Sequence, residues 1–130
     1  MTRFYIQRRN ETQSYKDFVV WQKGIDLAKI VYRLTQSLPS EEKFGLVAQM
    51  RRSAVSIPSN VAEGQARHTT GEFIQFISHA EGSVEELDTQ LILSVSLGFC
   101  DSSDAGAAFE LVNELRRMLN ALRRKLSTRG

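Results

Sequence analysis

One cysteine and two prolines among 130 residues are the first constraints on this chain. A lone Cys100 cannot close an intrachain disulfide or anchor a cysteine-rich zinc site, so it reads as a small apolar residue near a helix end. Two prolines and eight glycines leave little room for long structureless loops. The longest apolar run, Leu91 to Cys100, is interrupted by serines and a glycine and falls well short of a membrane span. The opening MTRFYIQRRNET lacks the apolar core of a secretion signal, so a cytoplasmic location is expected. There is no Gly-rich phosphate loop, nucleophile elbow or zinc spacing. A di-metal carboxylate bundle would need paired Glu-x-x-His motifs, but Gln65 and Phe76 stand three residues before His68 and His79. No metal, cofactor or enzymatic activity is therefore expected.

The composition is that of one ordinary globular domain, with 42% hydrophobic and 25% charged residues. The net charge of +2 conceals a strong asymmetry. Residues 1–16 hold four bases and one acid, residues 67–115 hold nine acids and one base, and residues 116–130 hold six bases and no acid. Both ends are basic and the third quarter is acidic, which predicts a cationic surface patch.

Apolar periodicity from residue 17 onward is helical throughout. Phe18, Trp21, Ile25, Ala28 and Tyr32 form one stripe, and Val20, Leu27, Val31, Leu34 and Leu38 form another, with Asp17 as expected N-cap and Pro39 as stop. Ser40 is the expected cap of a second helix, with Glu41 and Glu42 in its first turn. That helix repeats Val47, Met50, Ala54, Ile57, Val61 and Gly64 in steps of three and four, a coiled-coil-like seam. Pro58 lies inside it, predicting a kink that costs about 3 kcal/mol.

Thr69-Thr70-Gly71-Glu72 reads as a capping box opening a third helix. Its stripe runs Phe73, Ile77, Ala80, Val84, Leu87, Leu91, Ser94 and Gly98. Ile92, Leu93, Val95 and Leu97 are expected to widen the buried face, and Gly98-Phe99 to end the helix. A fourth helix follows the N-cap supplied by Asp101 to Asp104, DSSD, and its apolar stripes run to Leu126. Four amphipathic helices, short connections and no strand signal predict an all-α, antiparallel up-down four-helix bundle. The expected organisation is a mobile basic arm over 1–16, the bundle over 17–126 and a short tail over 127–130.

Opposite the seam, the second helix carries small residues with little charge. Arg52, Val55, Ser56, Ser59, Ala62 and Glu63 are accordingly the expected oligomer interface. In the fourth helix, steps of seven align Arg116 with Arg123 and Arg117 with Arg124. These four and Lys125 are the leading nucleic-acid-binding candidates, with Arg51 and Arg52 weaker ones. Phe18, Trp21, Tyr32, Phe73 and Phe109 fall on core stripes, so binding is expected to follow the phosphate backbone rather than read bases. Glu81, Glu85 and Asp88 share one helix face and read as a solvated or salt-bridged surface.

The order of motifs resembles a known bacterial family. Val20-Trp21-Gln22-Lys23 comes first, then Gly45-Leu46-Val47 and the block Gln49-Met50-Arg51-Arg52-Ser53-Ala54-Val55-Ser56-Ile57-Pro58-Ser59-Asn60-Val61-Ala62-Glu63-Gly64. Glu72-Phe73, Gly82-Ser83-x-Glu85-Glu86-Leu87 and Leu97-Gly98-Phe99 follow. This pattern resembles the 23S rRNA intervening-sequence proteins and is similar to the accessory variability determinant of diversity-generating retroelements. Val61 and Phe99 stand where isoleucine and tyrosine are commoner. The resemblance implies a four-helix subunit assembled into a ring-like homopentamer with a central pore. It further implies binding of RNA or DNA through a basic surface, or service as a protein-interaction scaffold for a partner enzyme such as a reverse transcriptase.

Overall fold

The computed structural model describes residues 14–128. Four helices make up nearly all of them: α1 (Val19–Thr35), α2 (Leu46–Gln65), α3 (Thr70–Ser96) and α4 (Ser102–Ser127). Each helix packs on its neighbours in sequence, and α4 returns to α1, closing a four-helix bundle. Among the described residues there is no strand. The core is built from the stripe that runs from Val20 in α1 to Leu38 just beyond it and from the seams of the other three helices, with Phe18, Trp21 and Ala28 packed at its edge. Leu27, Val31, Met50, Ile57, Val61, Ile77, Val84, Leu87, Leu91, Val112, Leu115 and Leu119 are all fully buried.

Helix boundaries follow local chemistry, in two places differently from expectation. α1 starts without a side-chain cap, its N-cap being Phe18 rather than Asp17. A single 3-10 turn, Tyr15–Asp17, precedes it, and Ser14 caps that turn by accepting from the Lys16 N–H. Ser14 is buried, so the arm expected over 1–16 is folded from residue 14; residues 1–13 lie outside the described residues.

α1 also ends before Pro39. The Thr35 hydroxyl donates to the Val31 carbonyl at 2.7 Å, and the next three amides tighten into 3-10-type bonds. Ser40 then opens a 3-10 turn, Ser40–Glu42, rather than α2 itself. That segment has no apolar face to bury, and Phe44 beside it is 88% exposed. α2 begins at Leu46, whose free N–H donates to the Glu42 carboxylate at 3.2 Å. One of the four unpaired donors of a helix start is thus satisfied from outside the helix.

Pro58 is accommodated within α2. The helix runs unbroken through it, and the Asn60 amide donates to the Ser56 carbonyl at 2.8 Å. The Pro58 ring packs on α1 where there is no side chain. A Cβ built on Gly24 would lie 3.2 Å from two of its ring carbons. Gly64, near the C-terminal end of α2, plays the same part against α3, where a Cβ would lie 2.8 Å from Phe76 and 2.9 Å from Phe73. Glycine at these two positions lets α2 approach both neighbours closely.

The caps of α3 stand where expected, although the Glu72 carboxylate reaches back to the Thr69 hydroxyl rather than to its backbone N–H. Thr69 Oγ1 accepts from the Glu72 N–H and donates to the Glu72 carboxylate, both at 3.1 Å. At the far end Gly98 has φ +77°, Gly98 N–H donates to Val95 O and Phe99 N–H to Ser94 O, a complete Schellman closure. The expected widening of the α3 face occurs only at Val95, which packs half-buried against the core. Ile92, Leu93 and Leu97 are exposed by 52%, 46% and 55%, because the seam residues Leu87, Leu91 and Ser94 already fill the contact with the bundle. Tyr32 likewise leaves the core stripe on which it was placed and is 44% exposed.

Candidate nucleic-acid surface

The basic residues of α4 divide into two classes. On the side facing α3, Arg116 makes a two-point contact with Glu85, Nε to Oε2 at 2.6 Å and Nη2 to Oε1 at 3.0 Å. Its guanidinium also reaches Asp88 at 3.2 Å and Asn113 at 2.6 Å. One heptad on, Arg123 donates to Glu81 at 2.8 Å and to Asn120 at 2.9 Å. The acidic face of α3 and one basic face of α4 therefore form an ion-pair ladder within the subunit. The hydrogen bond from Arg116 holds the Glu85 carboxyl below the usual carboxylate range, and the same bond raises Arg116 further.

Arg117, Arg124 and Lys125 form the second class. All three are exposed, and none makes a side-chain hydrogen bond or ion pair among the described residues. The seven-residue step puts Arg117 and Arg124 on one outward stripe, with Lys125 beside it near the C-terminal end of the helix. These cations can meet a phosphate without first giving up a carboxylate.

A second cationic feature lies between α1 and α2. Arg51 Nε donates to Thr35 Oγ1 at 2.9 Å, Nη2 donates to the Tyr32 carbonyl at 3.2 Å, and the guanidinium sits 4.5 Å from the Tyr32 ring centroid. Tyr32, Ala48, Arg51, Arg52, Val55 and Ser56 line an open groove of about 540 Å³. Arg52 is exposed and unpaired among the described residues.

The residues expected at an oligomer interface lie along the outer side of α2. Arg52, Val55, Ser59 and Glu63 are exposed, and Ala62 is half-buried. Ser56 is partly committed within the subunit, sharing a 2.8 Å hydrogen bond with Ser83 of α3 and accepting from Asn60. Glu63 makes only a marginal 4.0 Å ion pair with Arg67.

Periodicity missed the exposure of Phe44, Ile92, Leu93 and Leu97. Since α2 and α3 are antiparallel neighbours, the start of α2 and the end of α3 lie at the same end of the bundle. Among the described residues, no three His, Cys, Asp or Glu side chains gather as a metal site, and no helix is long and apolar enough to cross a membrane.

Residues 16–121 match the family model of the 23S rRNA-intervening sequence protein. The chain belongs to this family. A protein with unknown function from the S23 ribosomal protein family of Bacteroides thetaiotaomicron has a similar fold. It superposes with a TM-score of 0.72 at 21% identity, over 81% of this chain and 98% of that one. At that identity the likeness carries the four-helix fold alone. No curated protein matches the chain. In this member of the 23S rRNA-intervening sequence family, the block from Gln49 to Gly64 lies within α2. Its buried side supplies the seam, and its outer side supplies both the groove arginines and the small residues.

Proposed function

We propose that this protein is a non-enzymatic, self-associating bundle that binds RNA or DNA through phosphate contacts on the outer side of α4. The observation that carries this reading is the division of the α4 cations. Arg116 and Arg123 are neutralised by Glu85, Asp88 and Glu81, whereas Arg117, Arg124 and Lys125 stand exposed and uncompensated. Three such cations per subunit give weak binding alone. Repeated around a ring-like homopentamer, they form a multivalent surface whose avidity exceeds that of any one copy.

Self-association is supported by the exposed apolar group Phe44, Ile92, Leu93 and Leu97, which is a stronger contact candidate than the small outer side of α2. The same group favours a second reading, in which it docks a partner enzyme such as a reverse transcriptase and the bundle acts as a scaffold.

Fluorescence anisotropy of labelled RNA and DNA, titrated across salt, tests the first reading. Phosphate-directed binding falls linearly in log K against log salt. Three contacts on a single strand correspond to a slope of about −2, and more where several subunits engage one strand. Absence of binding at low salt overturns this reading in favour of the scaffold.

A further inference from the structure

The groove between α1 and α2 holds an arginine in an uncommon state. Elsewhere among the described residues, Arg67, Arg116 and Arg123 each meet a carboxylate. Arg51 is fixed instead by neutral partners: the Thr35 hydroxyl, the Tyr32 carbonyl and the Tyr32 ring. It is oriented but its charge is not cancelled. Two of its five N–H groups are used, and the rest remain available. Ordering a long side chain costs entropy, and here folding has already met that cost. Beside it stands Arg52, exposed and unpaired.

The walls narrow the ligand class. A bare inorganic anion would need only the cations. This groove is also lined by Tyr32 and Val55, residues that are 44% and 40% exposed, and by Ala48. About 540 Å³ lies within the range of small-ligand sites and is far more than one phosphate fills. An apolar, aromatic surface bearing a flat guanidinium and flanked by a second, mobile-stemmed cation suits a planar ring joined to a phosphate.

We propose that the groove is a nucleotide site, in which a base packs against the Tyr32–Arg51 stack and its phosphate meets Arg52. The proposal rests on the nucleic-acid reading, which it extends from phosphate contact on α4 to capture of one unstacked base on α1 and α2. No covalent step is involved.

The test is an NMR titration of the full-length, arginine-labelled protein with AMP and, separately, with inorganic phosphate. AMP is expected to shift the Arg51 Nε–H signal and the Tyr32 ring signals through the ring current of the base. Inorganic phosphate is expected to move Arg52 with little effect on Tyr32. Tyr32→Leu should weaken AMP binding about tenfold, consistent with the loss of one base–aromatic stack. Arg52→Ala breaks no contact among the described residues, so it should weaken AMP binding by a similar factor with folding intact. It carries the test if the tyrosine variant loses stability.

Equal responses to AMP and phosphate overturn the proposal in favour of a plain anion site. No response to AMP also overturns it. So does a change in assembly size in Arg52→Ala with unchanged AMP affinity, which would assign the groove to a second copy. The two readings fail separately. RNA binding without an AMP response removes the groove alone. An AMP response without RNA binding removes the α4 surface and leaves a mononucleotide site.

Discussion

Arg116 and Glu85 face each other across the α3–α4 contact in a two-point pair, with N···O distances of 2.6 and 3.0 Å. A guanidinium used in this way fixes the register of two helices. It is a poor phosphate ligand, because binding a phosphate would strand a carboxylate. The pair also sets an acid dependence. Glu85 is held below the ordinary carboxylate range, so the folded state binds its proton less readily than the unfolded chain. Its contribution is therefore present above the unfolded pKa and is lost as pH falls through the lowered folded value. The side chain is 57% exposed, so the contribution is small, about 0.2–1 kcal/mol at neutral pH. Glu85→Gln should lower the urea midpoint slightly at pH 7, and the deficit should shrink at acid pH as the wild-type carboxylate is itself protonated. An equal deficit at pH 7 and at acid pH would mean that the carboxylate charge is not what matters.

Two glycines on neighbouring helices should respond to alanine with opposite signs. At Gly64 a methyl group would enter space held by Phe73 and Phe76, both on α3, at 2.8–2.9 Å. Gly64→Ala should destabilise by about 1–3 kcal/mol, as overpacking does. Gly82 lies exposed within α3, and nothing stands within 4 Å of its added Cβ. Gly82→Ala should stabilise by about 0.5–1 kcal/mol, through helix propensity and a less flexible unfolded chain. Thermal or urea unfolding of the two variants measures both. Should Gly82→Ala lower stability, its outer face would be packed against something in solution.

The single thiol should be inert. Cys100 is buried, and burial first, then the Asp104 and Asp101 charges, push its pKa up. Thiolate is the reactive form, so modification by a thiol reagent at pH 7.5 should proceed at least about tenfold more slowly than for the urea-unfolded chain. Equal rates would mean that the turn after Gly98 opens readily.

What can be read from the sequence, and what cannot, follows the range of the interaction concerned. Thr69 with Glu72, and Gly98 with Phe99, are contacts within one or two turns, and they stand where local pattern puts them. The α2 seam is equally legible, since period alone assigns Met50, Ala54, Ile57 and Val61 to one side. The start of α2 is harder. Ser40 looks a better cap than Gly45, yet the first apolar side chain after Ser40, Phe44, stays 88% exposed and anchors no helix turn there.

The candidate surface is only half legible. Periodicity excludes Arg116 and Arg117 alike from the core. Which of them meets an acid depends on Glu85 and Asp88 standing across from α4, a fact of tertiary packing. Tyr32 fails in the other direction. It lies on an apolar stripe, but α1 needs only its Leu27–Val31–Leu34 side to fill the core, so the flank is left at the surface.

The two arginine classes of α4 make a sharp prediction, since they differ by one residue in sequence. Arg117→Glu with Arg124→Glu reverses two uncompensated charges and breaks no contact among the described residues. Stability should stay within about 0.5 kcal/mol of wild type, as for surface changes without partners. RNA affinity at low salt should fall at least about tenfold, and the salt slope should become shallower by about 1 or more per subunit engaged. Arg116→Glu with Arg123→Glu has the same formal charge change but puts acids against Glu81, Glu85 and Asp88. That variant should lose stability as well, by about 1–3 kcal/mol, because like charges would face each other along the ladder. Circular dichroism melts and salt-titrated anisotropy on both variants separate the roles. If the first pair leaves RNA affinity unchanged while the second abolishes it at temperatures where the bundle is folded, the ladder arginines are the phosphate ligands. The exposed pair would then serve another purpose.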